Sequence, residues 1–326
     1  MTAFAFFPSV DSMAAEGQAI KGTAGSGARG RKIKIAWAAA AADYAPYWVA
    51  LENGLFKKNG VEVDLMYLSP AASAQALAAG DIDLLSSSGE GINLRAEGVD
   101  VKYLATVNHY LIPFGLYARQ GGPSAISSAG FAGKSLAVTS PGSATDIFAR
   151  YLLSQYQVDL SKVQFVYTQG IPAIYSGLAS GKFDLGSLPV PAALTAESDK
   201  AIQTLSAVGK AKVPGTTASL MGKTDWIRAH ETEAKGILRA TLDAIAWSKA
   251  HSGETQQIIG KYLKMEDRKV LQGMYDVFSK VWGAPNLQVD LEGLRVAIQY
   301  SPNPKAKTLL INDLVYEDNK LAKSIK

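Results

Sequence analysis

The sequence predicts an α/β protein built from two similar lobes. Each lobe is expected to hold a mainly parallel sheet, and two crossover hinge segments are expected to join the lobes, with a helical C-terminal region. Three observations support this prediction. The length of 326 residues suits two domains, a stretch of sequence is repeated, and strand-like runs alternate with helical ones along both halves.

The repeat is the most informative of these observations. Residues 76–84 (ALAAGDIDL) are echoed by residues 177–185 (GLASGKFDL), which places Asp83 and Asp184 101 residues apart. The same spacing holds upstream, where residues 33–37 fall on 134–138. A repeat that extends over several elements indicates two copies of one structural unit.

Within each copy the elements read strand, loop, helix, strand, loop, helix and short strand. This alternation is typical of βαβ units on a parallel sheet. From residue 225 onward the apolar spacing is helical, as in residues 231–251. No strand partners remain for these helices, so we expect them to pack on one lobe.

These patterns divide the chain. Residues 33–112 and 218–326 are predicted to form lobe I, and residues 113–217 lobe II. Residues 1–32 are rich in Gly, Ala and Ser, and their apolar run at Phe4–Phe7 is too short for a signal-peptide core. We interpret residues 1–32 as a flexible tail or the remnant of a signal.

Composition excludes several classes. The chain is 48% hydrophobic and 19% charged with a net charge of +4, which argues against a disordered chain and against a nucleic-acid-binding protein. The absence of cysteine excludes disulfides, thiolate metal sites and a cysteine nucleophile. No run approaches the roughly 20 apolar residues that span a bilayer, so a membrane-embedded protein is not expected.

Ligands of open parallel sheets bind at the carboxyl ends of strands, where helix N-termini favour anions. Four turns of this chain match that position. They are residues 39–48, residues 69–73 with 86–91 after the following helix, residues 139–146, and residues 169–173 with 188–191. The third is the strongest candidate, because backbone N–H groups and two hydroxyls could hold a carboxylate, sulfonate or phosphate. Packing, solvated loops and simple N-capping remain the alternatives. The candidate ligand-binding residues are Ala41, Tyr44, Tyr47, Ser87, Ser88, Gly89, Ser140, Gly142, Ser143, Ala144, Thr145, Gly170, Ile171 and Pro189, with His109 from the crossover between the lobes.

Enzyme motifs mostly fail. Residues 131–135 (FAGKS) resemble the end of a phosphate-binding loop, but Ser128 replaces its first glycine, and the Lys-Ser pair begins a strand. The three histidines lack zinc-site spacing, and no paired carboxylates end the strands. The sequence therefore predicts binding without catalysis, and no metal or cofactor.

Residues 44–63 (YAPYWVALENGLFKKNGVEV) resemble the opening motif APxWxAxExGLFKKxGLxV of periplasmic solute-binding proteins of ABC importers. The subfamily is the nitrate/sulfonate/taurine and thiamine-pyrimidine type. Residues 76–83 and 131–138 are similar to two further elements of that family, and the resemblance covers residues 33–326. It implies the type II periplasmic-binding-protein fold, a ligand between the lobes, a periplasmic location, and a permease with its ATPase as partners. We expect a monomer.

Few formal charges and several hydroxyls at the turns lead us to expect a small organic anion, a sulfonate or an aromatic or aliphatic carboxylate. Its acid group would lie at residues 142–145. The alternative is a neutral or cationic thiamine-pyrimidine precursor, for which Glu90 and Asp146 are the candidate partners. A pyrimidine-synthesis enzyme shares the fold, but the resemblance to it brings a cysteine-rich motif that this chain lacks. A regulator's effector domain would need a helix-turn-helix that residues 1–32 do not supply.

Overall fold

The computed structural model describes residues 31–168, 170–283 and 286–325. The interpretation of residues 1–32 therefore falls almost entirely outside the described residues.

Two five-stranded sheets form the centres of the two lobes. The sheet of lobe I has the order β2-β1-β3-β10-β4, and that of lobe II has the order β7-β6-β8-β5-β9. The strands are β1 Ile33–Trp37, β2 Val63–Tyr67, β3 Leu84–Ser87, β4 Val101–Asn108, β5 Phe114–Arg119, β6 Ser135–Val138, β7 Gln164–Tyr167, β8 Leu185–Pro189, β9 Ile202–Ser206 and β10 Thr217–Lys223.

Both sheets are mixed but mainly parallel, as expected: in each, four strands run in one direction and a single strand runs in the opposite direction. In lobe I, β1 pairs in parallel with β2 and β3, whereas β10 runs antiparallel to β3 and β4. Lobe II repeats this arrangement, with β5 antiparallel to β8 and β9. The reason is topological: β10 and β5 each reach their sheet through a crossover from the other lobe. The two α/β lobes themselves are confirmed.

Helices cover both sheets. They are α1 Ala45–Glu52, α2 Leu55–Lys58, α3 Pro70–Ala79, α4 Glu90–Ala96, α5 Ser128–Phe131, α6 Ala144–Gln155, α7 Ile171–Ala179, α8 Ala192–Ser198, α9 Thr224–Ala229, α10 Glu231–Ala250, α11 Ser252–Leu263, α12 Arg268–Phe278, α13 Leu291–Tyr300, α14 Ile311–Leu314 and α15 Lys320–Ser324. Short 3-10 turns lie at Ala42–Tyr44, Leu160–Lys162, Pro304–Thr308 and Tyr316–Asn319. None of the helices in the described ranges is both long and apolar enough to cross a membrane.

The repeated sequence has a physical role in each lobe. Gly80 and Gly181 have φ values of 86° and 75°, the left-handed conformation that ends α3 and α7 at low cost. The aspartate three residues later fixes the neighbouring strand. Asp83 Oδ2 accepts the Lys34 N–H at 2.8 Å, and Asp184 Oδ2 accepts the Ser135 N–H at 3.1 Å.

The C-terminal helices pack differently from the expectation of a single lobe. Helices α10 and α11 lie on α1 of lobe I, and the ring of Tyr262 stacks on that of Trp48 with centroids 5.0 Å apart. Helix α13 instead contacts α6 of lobe II, where the hydroxyls of Tyr300 and Ser154 are 2.7 Å apart. The C-terminal region therefore contacts both lobes.

We predict that Asp83→Ala lowers the free energy of unfolding by about 1–3 kcal/mol, because the Lys34 N–H loses its acceptor where water reaches it poorly. Chemical denaturation at pH 7 measures this. Asp81→Ala is the control, since that side chain is exposed and its loss should cost under about 0.5 kcal/mol. Equal effects of the two substitutions would contradict the role given to Asp83.

Candidate functional site

The loops at the carboxyl ends of β3 and β6 meet across a cleft between the lobes. Asn93 Nδ2 of lobe I donates a hydrogen bond of 3.1 Å to the Pro141 carbonyl of lobe II. Gly89 packs directly on Gly142, where a Cβ on Gly89 would overlap the Gly142 carbonyl oxygen. The part of the second candidate turn that follows β3 therefore contacts the third candidate turn.

The first turn places Ala41, Tyr44 and Tyr47 in a buried position. Ala41 precedes the 3-10 turn, and Pro46 lies in the first turn of α1. The Tyr47 hydroxyl donates to the Ala218 carbonyl at 3.3 Å, which ties this helix to β10. Burial raises the pKa of both tyrosines, so each phenol stays protonated and can act as a hydrogen-bond donor.

Asp43, in the first turn, carries a buried carboxyl group. It lies inside the 3-10 turn Ala42–Tyr44 and does not cap the helix that follows. Thr217 hydrogen-bonds its carboxyl group, while its Oδ1 atom has no partner among the described residues. Burial raises the pKa of Asp43 to about 7.

Asn108 joins this group. Its Nδ2 donates to the Asp43 carbonyl at 3.3 Å and to Thr217 Oγ1 at 3.1 Å. Asn108 ends β4 just before one crossover, and Thr217 begins β10 just after the other. The buried polar group thus connects the first turn to both ends of the hinge. No periodicity or motif in the sequence marks Asn108.

In the second turn the hydroxyls point to a carboxylate of their own lobe. Glu90 Oε2 accepts from Ser87 Oγ at 2.7 Å, from the Ser88 N–H at 3.0 Å and from Ser88 Oγ at 3.3 Å. Gly89 is the N-cap of α4. These bonds give Ser87 and Ser88 a turn-stabilising role, and a ligand contact from either residue stays a prediction.

The third turn begins α6, with Ser143 as its N-cap. The hydroxyls of Thr139, Ser143 and Thr145 form a triangle with sides of 2.9–3.0 Å, and all three residues are buried. Ser140 and Ala144 are half-buried beside them. The N–H groups of Ala144 and Thr145 lie in the first helical turn, where α6 itself offers no acceptor.

A buried ion pair occupies the same helix end. Asp146 Oδ2 accepts the Gly142 N–H at 2.8 Å, and Arg150 Nε donates to Asp146 Oδ1 at 2.6 Å. Burial raises the pKa of Asp146, and the charge of Arg150 opposes that rise. The Gly142 N–H is therefore already used within the protein, which the sequence alone did not show.

The fourth turn leads into α7 of lobe II. Gly170 is the N-cap of α7 and Ile171 its first residue, and both are half-buried. Pro189 ends β8 and is buried opposite Phe114 of β5. Their contact with a ligand stays a prediction.

The two crossovers run side by side. Leu111 N–H donates to the Val213 carbonyl at 2.9 Å, and Gly209 N–H donates to the Ile112 carbonyl at 3.1 Å. His109 lies in the first crossover as expected, with Nδ1 3.7 Å from Asp290 Oδ2. Burial lowers the pKa of His109 while Asp290 opposes that shift.

The turns contain no recognisable metal site. Within the described ranges, no three His, Cys, Asp or Glu residues are grouped so that they could hold a metal ion. The carboxylates near the cleft instead accept hydrogen bonds from the chain itself. This arrangement suits the recognition of a solute by hydrogen bonds.

We predict that Asp43 makes the folded state less stable as the pH rises. Its pKa is 3.8 when the side chain is exposed, as in the unfolded chain, and about 7 in the folded protein. Folding is therefore most favourable below about pH 4, where Asp43 is protonated in both states, and the folded state loses stability as the pH rises through about 7. Asp43→Asn removes this pH dependence, because the amide does not titrate. The free energy of unfolding of the variant, relative to that of the wild type, should rise by up to about 1.4 kcal/mol per pH unit across that range.

Denaturation curves at pH 5, 6, 7 and 8 measure the difference between the two proteins, which cancels the titration of all other groups. Asp225→Asn serves as the control, because the Asp225 side chain is 97% exposed. A difference between wild type and Asp43→Asn that stays constant over these pH values would contradict the buried, protonated Asp43.

Comparison with solved structures identifies the same fold elsewhere. The nitrate-binding protein NrtA of Synechocystis PCC 6803 has a TM-score of 0.71 at 15% identity, with 90% of this chain and 89% of that chain covered. The aliphatic sulphonate binding protein SsuA of Escherichia coli has a TM-score of 0.67 at 17% identity, with 91% and 98% covered. The ligand-binding component of an ABC-type import system from Staphylococcus aureus has a TM-score of 0.71 at 14% identity, with 91% and 99% covered.

At these identities the likeness shows the fold alone. No curated protein sequence matches the chain. A family model described as NMT1/THI5 like matches residues 41–255, about two thirds of the chain, which include both crossovers and all four turns except residues 39 and 40. The chain belongs to the NMT1/THI5-like family.

Proposed function

We propose that this protein is the solute-binding component of an ABC importer and captures a small molecule between its lobes. The observation that carries the proposal is the meeting of the second and third turns across the cleft. Two lobes that touch there and are connected by paired crossovers can rotate apart and close again. The family and the import-system protein with the same fold support this proposal.

Closure follows from contacts on both sides. A solute that bonds to turns of lobe I and lobe II gains those bonds together only when the cleft is closed, so it shifts the population toward the closed state. The permease, with its ATPase, would then recognise that state. We further propose that the protein works in the periplasm as a monomer and releases its solute unchanged.

A small organic anion, a sulfonate or a carboxylate, is the ligand class that we favour. The N–H groups of Ala144 and Thr145 at the start of the 12-residue α6 suit an oxyanion. The cationic side chain of Arg150 offsets the charge of Asp146 at this helix end. Relatives of the same fold named for nitrate and sulphonate support an anion.

A thiamine-pyrimidine precursor is the second candidate. Carboxyl groups at three of the four turns, those of Asp43, Glu90 and Asp146, could accept N–H groups from an amino-substituted ring. All three carboxyl groups are buried, so a hydrogen bond from a ligand would replace water that cannot easily reach them. A pyrimidine ligand would therefore bind to hydrogen-bond acceptors of the protein, whereas an anion would bind to its hydrogen-bond donors.

A thermal-unfolding screen separates these candidates. We expect methanesulfonate, benzoate or nitrate to raise the melting temperature, because a ligand at 100 times its Kd stabilises the folded state by about 2.7 kcal/mol. Ala144→Asp should weaken anion binding at least about tenfold by placing a like charge at the start of α6. Ser252→Asp, at the exposed start of α11, is the matched control and should bind as the wild type does.

Stabilisation by an aminopyrimidine alone, unaffected by Ala144→Asp, would replace the anion with the second candidate. Failure of every compound class to bind would contradict the solute-binding proposal. Conversion of a bound compound over several turnovers would contradict binding without catalysis.

A further inference from the structure

One contact between the lobes is made directly by backbone atoms. Gly89 precedes α4 of lobe I, and Gly142 precedes the N-cap of α6 in lobe II. A Cβ built on Gly89 would lie 3.1 Å from the Gly142 carbonyl carbon and would overlap its oxygen. Only a residue without a side chain permits this approach.

The contact is complementary from the opposite side. A Cβ on Gly142 would lie 3.2 Å from Asn93 Nδ2, and this amide donates to the carbonyl of Pro141, the neighbour of Gly142. Asn93 is half-buried on α4, one helical turn after Gly89. Gly89 and the Asn93 amide of lobe I therefore both contact the Pro141–Gly142 peptide of lobe II.

The backbone of Gly89 does not itself require glycine. Its φ of −82° and ψ of −2° are accessible to any residue, whereas Gly142 has a φ of 72°. The space around Gly89, and not its conformation, restricts the position to glycine. That space is taken by the other lobe, so the restriction applies only while the lobes are closed.

We propose that Gly89, Asn93 and the Pro141–Gly142 peptide form a latch that positions the two lobes in the closed state. The latch rests on the proposed solute-binding function, since it assumes that the cleft opens and closes. It adds a contact between the lobes that no solute supplies. It also closes this side of the cleft by direct backbone contact, so the site admits compact solutes and excludes those with a chain projecting between α4 and α6.

The experiment exploits the absence of cysteine from the sequence. Asn93→Cys and Pro141→Cys introduce the only two thiols, one in each half of the latch, and a short thiol-specific cross-linker measures how often the lobes meet. This chain lacks the Asn93 hydrogen bond, so its cross-linking tests the contact of Gly89 with Gly142 by itself. No solute is needed, so the latch is tested even if the ligand class is wrong. Gly89→Ala is then added to this double-cysteine chain.

We expect Gly89→Ala to slow cross-linking by about tenfold or more, because the added methyl group disfavours the closed state. The melting temperature should stay within about 3 °C, since opening the cleft relieves the overlap. Gly253→Ala is the matched control: its Cβ would meet nothing within 4 Å, and its cross-linking rate should equal that of the parent. In the native chain, Asn93→Ala should weaken binding of any stabilising solute less than Gly89→Ala does.

Three results would each overturn the latch. The first is an equal cross-linking rate for Gly89→Ala and Gly253→Ala, and the second is no cross-linking in the double-cysteine parent. The third is a fall in the melting temperature of Gly89→Ala of more than about 3 °C. The last would mean that the overlap is a permanent part of the fold. If the wild type binds no solute but Gly89→Ala still cross-links more slowly than Gly253→Ala, the proposed function is contradicted and the latch is not.

Discussion

One strand of each sheet directly follows a crossover from the other lobe, and the remaining architecture depends on these two crossovers. Strand β10 enters the sheet of lobe I between β3 and β4, and β5 enters that of lobe II between β8 and β9. The chain must therefore cross between the lobes twice. The two crossovers hydrogen-bond to each other, and they hold the strand ends of one lobe facing those of the other.

The sequence predicted the features that local chemistry determines. Glycines that end helices and aspartates that accept a strand N–H recur at a fixed spacing, so the duplication was visible before the structure. It did not predict the antiparallel strands, because a strand's direction in the sheet depends on where the crossover brings it. Nor did it show that α13 reaches lobe II, since the contact of Tyr300 with Ser154 joins residues far apart in the chain.

Strand ends predict the positions of the four turns along the chain, whereas the contact between the second and third turns became visible only in the structure. That these turns bind a ligand stays a prediction. The directions of the serine hydroxyls were not predictable, because Glu90 accepts them within its own turn. The contact between Asp43 and Asn108 was also not predicted. It joins buried residues that are 65 positions apart in the chain, and no sequence spacing indicates such a contact.

The turns between the lobes offer hydrogen-bonding groups of both kinds. Protonated phenols, first-turn N–H groups and buried carboxyl groups offer both donors and acceptors, and the described residues show no grouping suited to a metal. Asp43 connects the first turn to residues at both crossovers, because its carboxyl group bonds to Thr217 and its backbone carbonyl accepts from Asn108. The direct contact of Gly89 with Gly142 joins the lobes at the second and third turns.

Small-angle X-ray scattering of the protein with and without a solute that raises its melting temperature tests the central claim most directly. Hinge closure around the solute predicts a smaller radius of gyration and a scattering curve that approaches the one calculated from the closed structure. An unchanged curve at saturating solute would contradict capture by closure of the two lobes.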